Sequence, residues 1–169
     1  VFSFLENSTT PLVLDADALN CVAKQPEILL RKKAPIIITP HPGEMSRLTG
    51  LATPLVNAER ERVALDFAQK YGVVTVLKGA GTVIASPNGK VLVNPTGNSG
   101  MATGGSGDVL AGMTASILAQ GASAFSSAAA AVYLHGLAGD IAAEKYGKIS
   151  MLPTDLINCI PLAYKRCGF

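Results

Sequence analysis

Short unbroken apolar runs alternate along the chain with longer stretches in which apolar residues recur at helical spacing. Pro11-Leu-Val-Leu-Asp15 and Pro35-Ile-Ile-Ile-Thr-Pro40 are of the first kind, the form taken by strands buried on both faces of a parallel sheet. Helical segments separate them. One helix is predicted from Thr53 as N-cap, with Pro54 at its first position and an apolar stripe of Val63, Ala64, Phe67, Ala68 and Tyr71. Asp66 and Lys70 form an i,i+4 pair on it, and Gly72 stops it. Val73–Leu77 then reads as a strand. Thr82–Ala85 and Val91–Val93 read as two more, joined across Pro87-Asn88-Gly89, where Asn-Gly is a strong hairpin signal. From Gly105 the pattern is helical: one helix to about Gly121, a second from near Ser123 to near Gly147, and a third after Pro153 with Thr154 and Asp155 in its first turn. Strands alternating with helices, then a hairpin, then consecutive helices predict one α/β domain over residues 1–169, with a mainly parallel central sheet flanked by helices. No internal repeat, low-complexity tract or linker interrupts it.

Composition narrows the function classes. The 169 residues are 49% hydrophobic and 15% charged, enough for one compact core that buries close to ~70% of the unfolded surface. A formal net charge of +2, no basic cluster beyond Arg31-Lys32-Lys33, no Trp and few aromatics provide neither a basic stripe nor a stacking platform, so no nucleic-acid partner is expected. The Ala-rich run from Ala122 to Ala143 contains Ser126, His135 and Asp140 and is too weakly apolar for a bilayer, so no membrane association is expected either. Cys21, Cys159 and Cys167 are odd in number and lack the close pairing of zinc sites; they read as free thiols of a reducing compartment and point to a cytoplasmic protein.

The candidate chemistry gathers around glycine. Six of the seventeen glycines fall between Gly97 and Gly112, around Asp108 and at the start of a predicted helix. Bare backbone there offers N–H groups to an anion, and a helix N-terminus adds unpaired donors. The segment is no Walker loop, because no Lys-Ser/Thr follows the glycines, and the dinucleotide fingerprint fails at Leu110. A plainer reading makes Asp108 a first-turn acid and the glycines a means of tight packing. Lys78-Gly-Ala-Gly-Thr82, between two strands, is a second anion-friendly turn, or simply a hairpin loop with a solvated lysine. Asp15-Ala-Asp17-Ala-Leu-Asn20 and His41-Pro-Gly-Glu44 follow the first two strands, where α/β folds place ligands. Glu44 is a candidate for assisting Mg²⁺ through water; as a plainer role, His41 caps a turn and Pro42 and Glu44 occupy a first helical turn. His135 reads as a packed or rim histidine, and Asp140 as a solvated or paired acid.

Taken together, V-L-D-A-D-A-L-N, T-P-H-P-G-E, V-L-K-G-A-G-T and N-S-G-M-A-T-G-G-S-G-D-V-L-A-G, in this order and at these distances, resemble the ADP/ATP-dependent NAD(P)H-hydrate dehydratases. These form the carboxy-terminal domain of the YjeF-type repair proteins, within the ribokinase-like superfamily. The resemblance implies a ribokinase-like fold and an enzyme that removes water from hydrated NADH or NADPH, with ADP or ATP as phosphoryl donor and Mg²⁺. In that reaction the ring hydroxyl is phosphorylated and the phosphate eliminated. The resemblance makes Asp108 the general base and a substrate contact, with His41 and Asn20 also at the hydrated nicotinamide and Glu44 holding Mg²⁺ through water. It gives nucleotide binding to Lys78, Gly79, Ala80, Gly81 and Thr82, and to Asn98, Ser99, Gly100, Met101, Ala102, Thr103, Gly104, Gly105, Ser106 and Gly107. It further implies a homo-oligomer and a domain that begins upstream of Val1, so the chain is expected to be the carboxy-terminal portion of the family domain, with an epimerase domain as a further upstream partner. The alternatives are a ribokinase-like kinase of a small alcohol such as a vitamin precursor, against which H-P-G-E and G-M-A-T-G-G argue, and a nucleotide-binding remnant without turnover.

Overall fold

The computed structural model describes all 169 residues. Its centre is a five-stranded sheet of β1 (Leu12–Leu14), β2 (Ile36–Ile38), β3 (Val74–Leu77), β4 (Val83–Ala85) and β5 (Val91–Val93), laid side by side in chain order. β1, β2 and β3 are parallel; β4 runs antiparallel to β3 and to β5. The hairpin expected across Pro87-Asn88-Gly89 is β4–β5, with Gly89 at φ 93°. The Lys78–Thr82 turn is a hairpin connection too, from β3 to β4.

Strand periodicity divides the core in two. Ile36, Ile38, Val73, Leu77, Val83 and Ala85 face one apolar cluster, whereas Ile37, Val74, Val76 and Ile84 face another, because successive side chains of a strand point to opposite faces. Against the first face pack α1 (Phe2–Asn7), α2 (Asp17–Val22), a 3-10 turn over Pro26–Arg31, α3 (Pro42–Thr49), α4 (Thr53–Ala58) and α5 (Arg60–Tyr71). Against the second pack α6 (Ser106–Ala119), α7 (Ala124–Tyr146) and α8 (Pro153–Arg166). Both crossovers that join the parallel strands thus lie on one face, as steps in one direction along a sheet with a fixed crossover hand require.

The helix expected from Thr53 is two helices. Ala52, not Thr53, is the N-cap, and the chain leaves helical geometry at Glu59 (φ −126°, ψ 42°). The break lets Arg60 turn inward, where its guanidinium donates to Leu77 O at 2.8 Å. The stripe from Val63 to Tyr71 is buried as expected, and Gly72 ends α5 in the left-handed region at φ 64°. Asp66 and Lys70 form no ion pair; Lys70 Nζ lies over the Tyr71 ring, 5.0 Å from its centroid, a contact that competes with an exposed pair worth only a few tenths of a kcal/mol. Ser123 caps α7 by accepting from Ser126 N, and Asp155 accepts from Leu152 N at the start of α8. α1 was not foreseen in the sequence, nor that α8 continues through Pro161. No helix is long and apolar enough to cross a membrane.

Candidate active site

Backbone hydrogen bonds lock the carboxyl ends of the parallel strands together. Thr39 N donates to Leu14 O at 3.1 Å, and Lys78 N to Pro40 O at 2.8 Å. Asp15, His41 and Lys78, each at or just past a strand end, are thereby held in one region. α3 starts at His41: His41 Nδ1 accepts from Gly43 N (3.0 Å) and Glu44 N (3.3 Å), and Glu44 Oε2 accepts from His41 N (2.7 Å). This reciprocal cap satisfies orphan donors of the first turn. It also makes Nδ1 an acceptor, so the proton of the neutral ring sits on Nε2, 3.6 Å from Glu44 Oε1.

Beyond the strand ends lies a cavity of about 830 Å³. Its walls are the 78–82 turn, the 94–99 segment, the 101–107 loop, His41 and Pro42, and Val132, His135 and Gly136 of α7. At one end stands the N-terminus of α6, capped by Gly105 at φ 94° with no side-chain cap. The Gly107 and Asp108 N–H groups there find no acceptor in the chain. Free donors and the positive end of a helix dipole meet a cavity with almost no side chain in the way.

The flanking loops are fastened from behind. Arg60 donates to Leu77 O and, at 3.5 Å, to Gly81 O; a Cβ on Gly79 would lie 2.8 Å from its guanidinium. The 94–101 segment is tied to α7: Thr96 Oγ1 donates to Tyr133 O (2.9 Å), Asn98 Nδ2 to Gly139 O (3.0 Å) and Asp140 Oδ1 (2.9 Å), and Gly97 N to Asp140 Oδ2 (2.9 Å). Gly136 and Gly139 make the seat, since a Cβ at either would collide with Thr96 or Met101. His135 is buried, and its Nε2 donates to Ser106 O at 3.0 Å. Burial, chiefly, pushes its pKa down to about 4; the Ser106 hydrogen bond opposes the fall and the Lys78 charge adds to it. The imidazole is neutral at pH 7.

The structure brings most of the sequence candidates to this cavity. Lys78 to Thr82, Asn98, Ser99, Met101 to Gly107 and His41 line it. Four others stand apart. Gly100 packs against the backbone of Lys148, whose carbonyl would lie 2.6 Å from an added Cβ. Asn20 accepts from Arg47 Nε at 3.0 Å. Glu44 is buried in the cap of α3. Asp108 is exposed on the first turn of α6, next to the cavity wall at Gly107. Lys78 is not solvated: its Nζ lies 2.6 Å from Asp15 Oδ1 and 3.9 Å from Glu44 Oε2. Arg60, His135 and Asp140 were not read from the sequence as parts of the site, and Asp15 was read only as a member of the cluster after the first strand, with no role of its own. For α7 a signal existed: Gly136 and Gly139 interrupt an Ala-rich helix, where each glycine costs about 1 kcal/mol against alanine and so calls for a packing reason.

The sequence profile of the NAD(P)H-hydrate dehydratase family matches residues 1–162. The chain belongs to that family. Among its relatives, the bifunctional NAD(P)H-hydrate repair enzyme of Moorella thermoacetica is 45% identical over 166 residues, which cover 98% of this chain and 31% of that protein. The crystal structure of the ADP/ATP-dependent NAD(P)H-hydrate dehydratase of Bacillus subtilis, co-crystallised with ATP/Mg²⁺, superposes with a TM-score of 0.88 at 36% identity, over 97% of this chain and 57% of that one. A ribokinase-like superfamily protein of Enterococcus faecalis superposes at 0.76 with 33% identity, over 92% and 52%. The fold is ribokinase-like, and this dehydratase-family chain spans only about a third to three fifths of the length of these relatives.

Proposed function

We propose that this chain carries the phosphoryl-transfer centre of an ADP- or ATP-dependent NAD(P)H-hydrate dehydratase. The observation that carries the reading is the N-terminus of α6: the Gly107 and Asp108 N–H groups are unpaired, Gly107 lines a glycine-walled cavity and Asp108 stands next to it, with the Lys78 ammonium alongside. That donor set fits the phosphates of a nucleotide. It fits Mg²⁺ only by way of phosphate oxygens and water, with Glu44 at second remove, since no three His, Cys, Asp or Glu side chains converge on one point and Mg²⁺ keeps several waters.

When bound, the nucleotide supplies the phosphoryl group that turns the hydroxyl of the hydrated nicotinamide ring into a leaving group. Asp108 takes the hydroxyl proton, as a carboxylate beside the cradle is suited to do. The N–H groups of Gly107 and Asp108 hold the charge on the phosphoryl oxygens, and the fastened loops keep the cradle in place before the reaction begins. His41 contacts the substrate ring through the edge that does not cap α3. Phosphate then departs with the push of the ring nitrogen lone pair, and loss of the neighbouring proton restores the dihydronicotinamide. The Moorella relative's two activities support a second catalytic domain outside this stretch in a longer protein.

The deciding experiment mixes the chain with hydrated NADH, Mg²⁺ and either ADP or ATP, and follows the dihydronicotinamide absorbance. Recovery that depends on nucleotide supports the reading and names the donor. A stable phosphorylated product would make the protein a kinase, and binding without turnover a remnant.

A further inference from the structure

Asp15 is the carboxylate at the strand ends in direct contact with a cavity-lining cation, and the reaction as drawn gives it no task. It directly follows β1, and the next residue, Ala16, has φ 48° and ψ −118°. Ala16 is the sole non-glycine residue with positive φ in the chain. A residue bearing a Cβ is disfavoured there, and such strain persists where the surroundings over-determine it, commonly at functional sites. Past this turn α2 begins, and the Asp15 carboxylate stays at the strand ends, its Oδ1 2.6 Å from Lys78 Nζ. Both side chains are largely buried, 13% and 19% exposed. The pair abuts the start of α6: a Cβ built on Gly107 would lie 3.5 Å from Lys78 Nζ and 3.7 Å from Asp15 Oδ2.

A lysine ammonium has three donors on a flexible stem and, left free, samples many rotamers. A carboxylate that takes one donor in a short charge-assisted bond fixes the direction of the other two. The same carboxylate, beside a phosphate site, repels the phosphate. Positioning and repulsion therefore come from one group and act on different quantities, turnover and ground-state affinity.

We propose that Asp15 is a positioning residue that holds Lys78 against the N-terminus of α6 for phosphoryl transfer, and that its charge weakens nucleotide binding. This rests on the nucleotide site proposed above. Asp15→Asn keeps the shape and an acceptor for Lys78 but removes the charge. By calorimetry, the Kd for Mg²⁺-free ADP and for ATP with Mg²⁺ should fall about threefold or more, while kcat for restoring the dihydronicotinamide falls about tenfold or more. A merely structural loss would weaken both. In a Lys78→Ala background the same substitution should leave kcat within about twofold, because no ammonium remains to be positioned.

Weaker nucleotide binding by Asp15→Asn, or the same loss of kcat in both backgrounds, would overturn the proposal. Thermal melts report whether each variant folds. If Asp15→Asn does not, Asp15→Glu keeps the charge but displaces it by a methylene: lower kcat with Kd within about twofold supports the proposal, and unchanged kcat overturns it. A parent chain that binds nucleotide but restores no dihydronicotinamide defeats the reaction, and the affinity change in Asp15→Asn then decides the role of Asp15 by itself. A parent that binds no nucleotide defeats both.

Discussion

At the scale of residues, what matters is which groups are free and which are already engaged. The Asp108 carboxylate makes no hydrogen bond to protein and is exposed, whereas Glu44 is taken up by the α3 cap and Lys78 by Asp15. Asp108→Asn is therefore expected to abolish turnover while nucleotide affinity stays within about threefold of the parent, since the backbone donors survive; the absorbance assay and calorimetry measure the two sides. Lys78→Ala should weaken nucleotide binding more than binding of the hydrated cofactor, and titration with each ligand separately checks the order. His135 carries a pH signature. Its folded pKa of about 4 lies below its ordinary 6.5, so between those values the unfolded chain holds more protons and stability falls as the pH falls. The contribution is intact above about pH 6.5 and about 3 kcal/mol is lost on approaching pH 4. Urea midpoints at pH 7 and pH 4.5 should differ accordingly in the parent. His135→Gln, with an amide for Ser106 O and nothing to titrate, should flatten the difference. The motifs around Lys78, His41 and Asp108 were legible as candidates because their residue types are uncommon in such surroundings. That Lys78 is paired depends on a partner 63 residues away, which no local pattern names, whereas the cap at His41 involves a partner three residues on and was legible as its plainer role.

At the scale of elements, the site depends on how closely loops approach helices. The 94–101 segment sits on α7 where Gly136 leaves room for it; a Cβ there would come within 2.8 Å of the Thr96 carbonyl carbon, a backbone atom that cannot swing aside. Gly136→Ala should destabilise the protein by about 1–3 kcal/mol and weaken nucleotide binding through displacement of the loop. Gly112→Ala, in the interior of α6 with nothing within 4 Å of the added Cβ, should stabilise by about 0.5–1 kcal/mol, since alanine is the better helix former. Thermal melts of the two variants, which differ in sign, separate helix propensity from packing. Strand and helix positions were readable from apolar period and from Gly and Pro. The break at Glu59 was not, because the stripe from Val63 to Tyr71 reads the same whether or not the preceding turn is continuous.

For the molecule as a whole, one sheet lies between two apolar cores and is expected to make them unfold together. Ile37 and Ile38 are adjacent and fully buried, yet they belong to opposite clusters. Ile37→Ala and Ile38→Ala should each cost about 2–5 kcal/mol and lower a single shared transition. Coincident midpoints by far-ultraviolet circular dichroism and tyrosine fluorescence would establish that; separate midpoints would mean that the two faces unfold independently. The five strands, the helices after Gly105, the apolar runs that bury both sheet faces and the glycine-rich helix start could all be read along the chain, because period, turn chemistry and the lack of side chains are local properties. Which charges meet is set by packing. Asp15 with Lys78, Arg60 behind the 78–82 turn, His135 against Ser106 and Asp140 beneath Gly97 are all contacts between elements. Their partners are fixed by strand order and helix packing, which bring distant residues within hydrogen-bond distance.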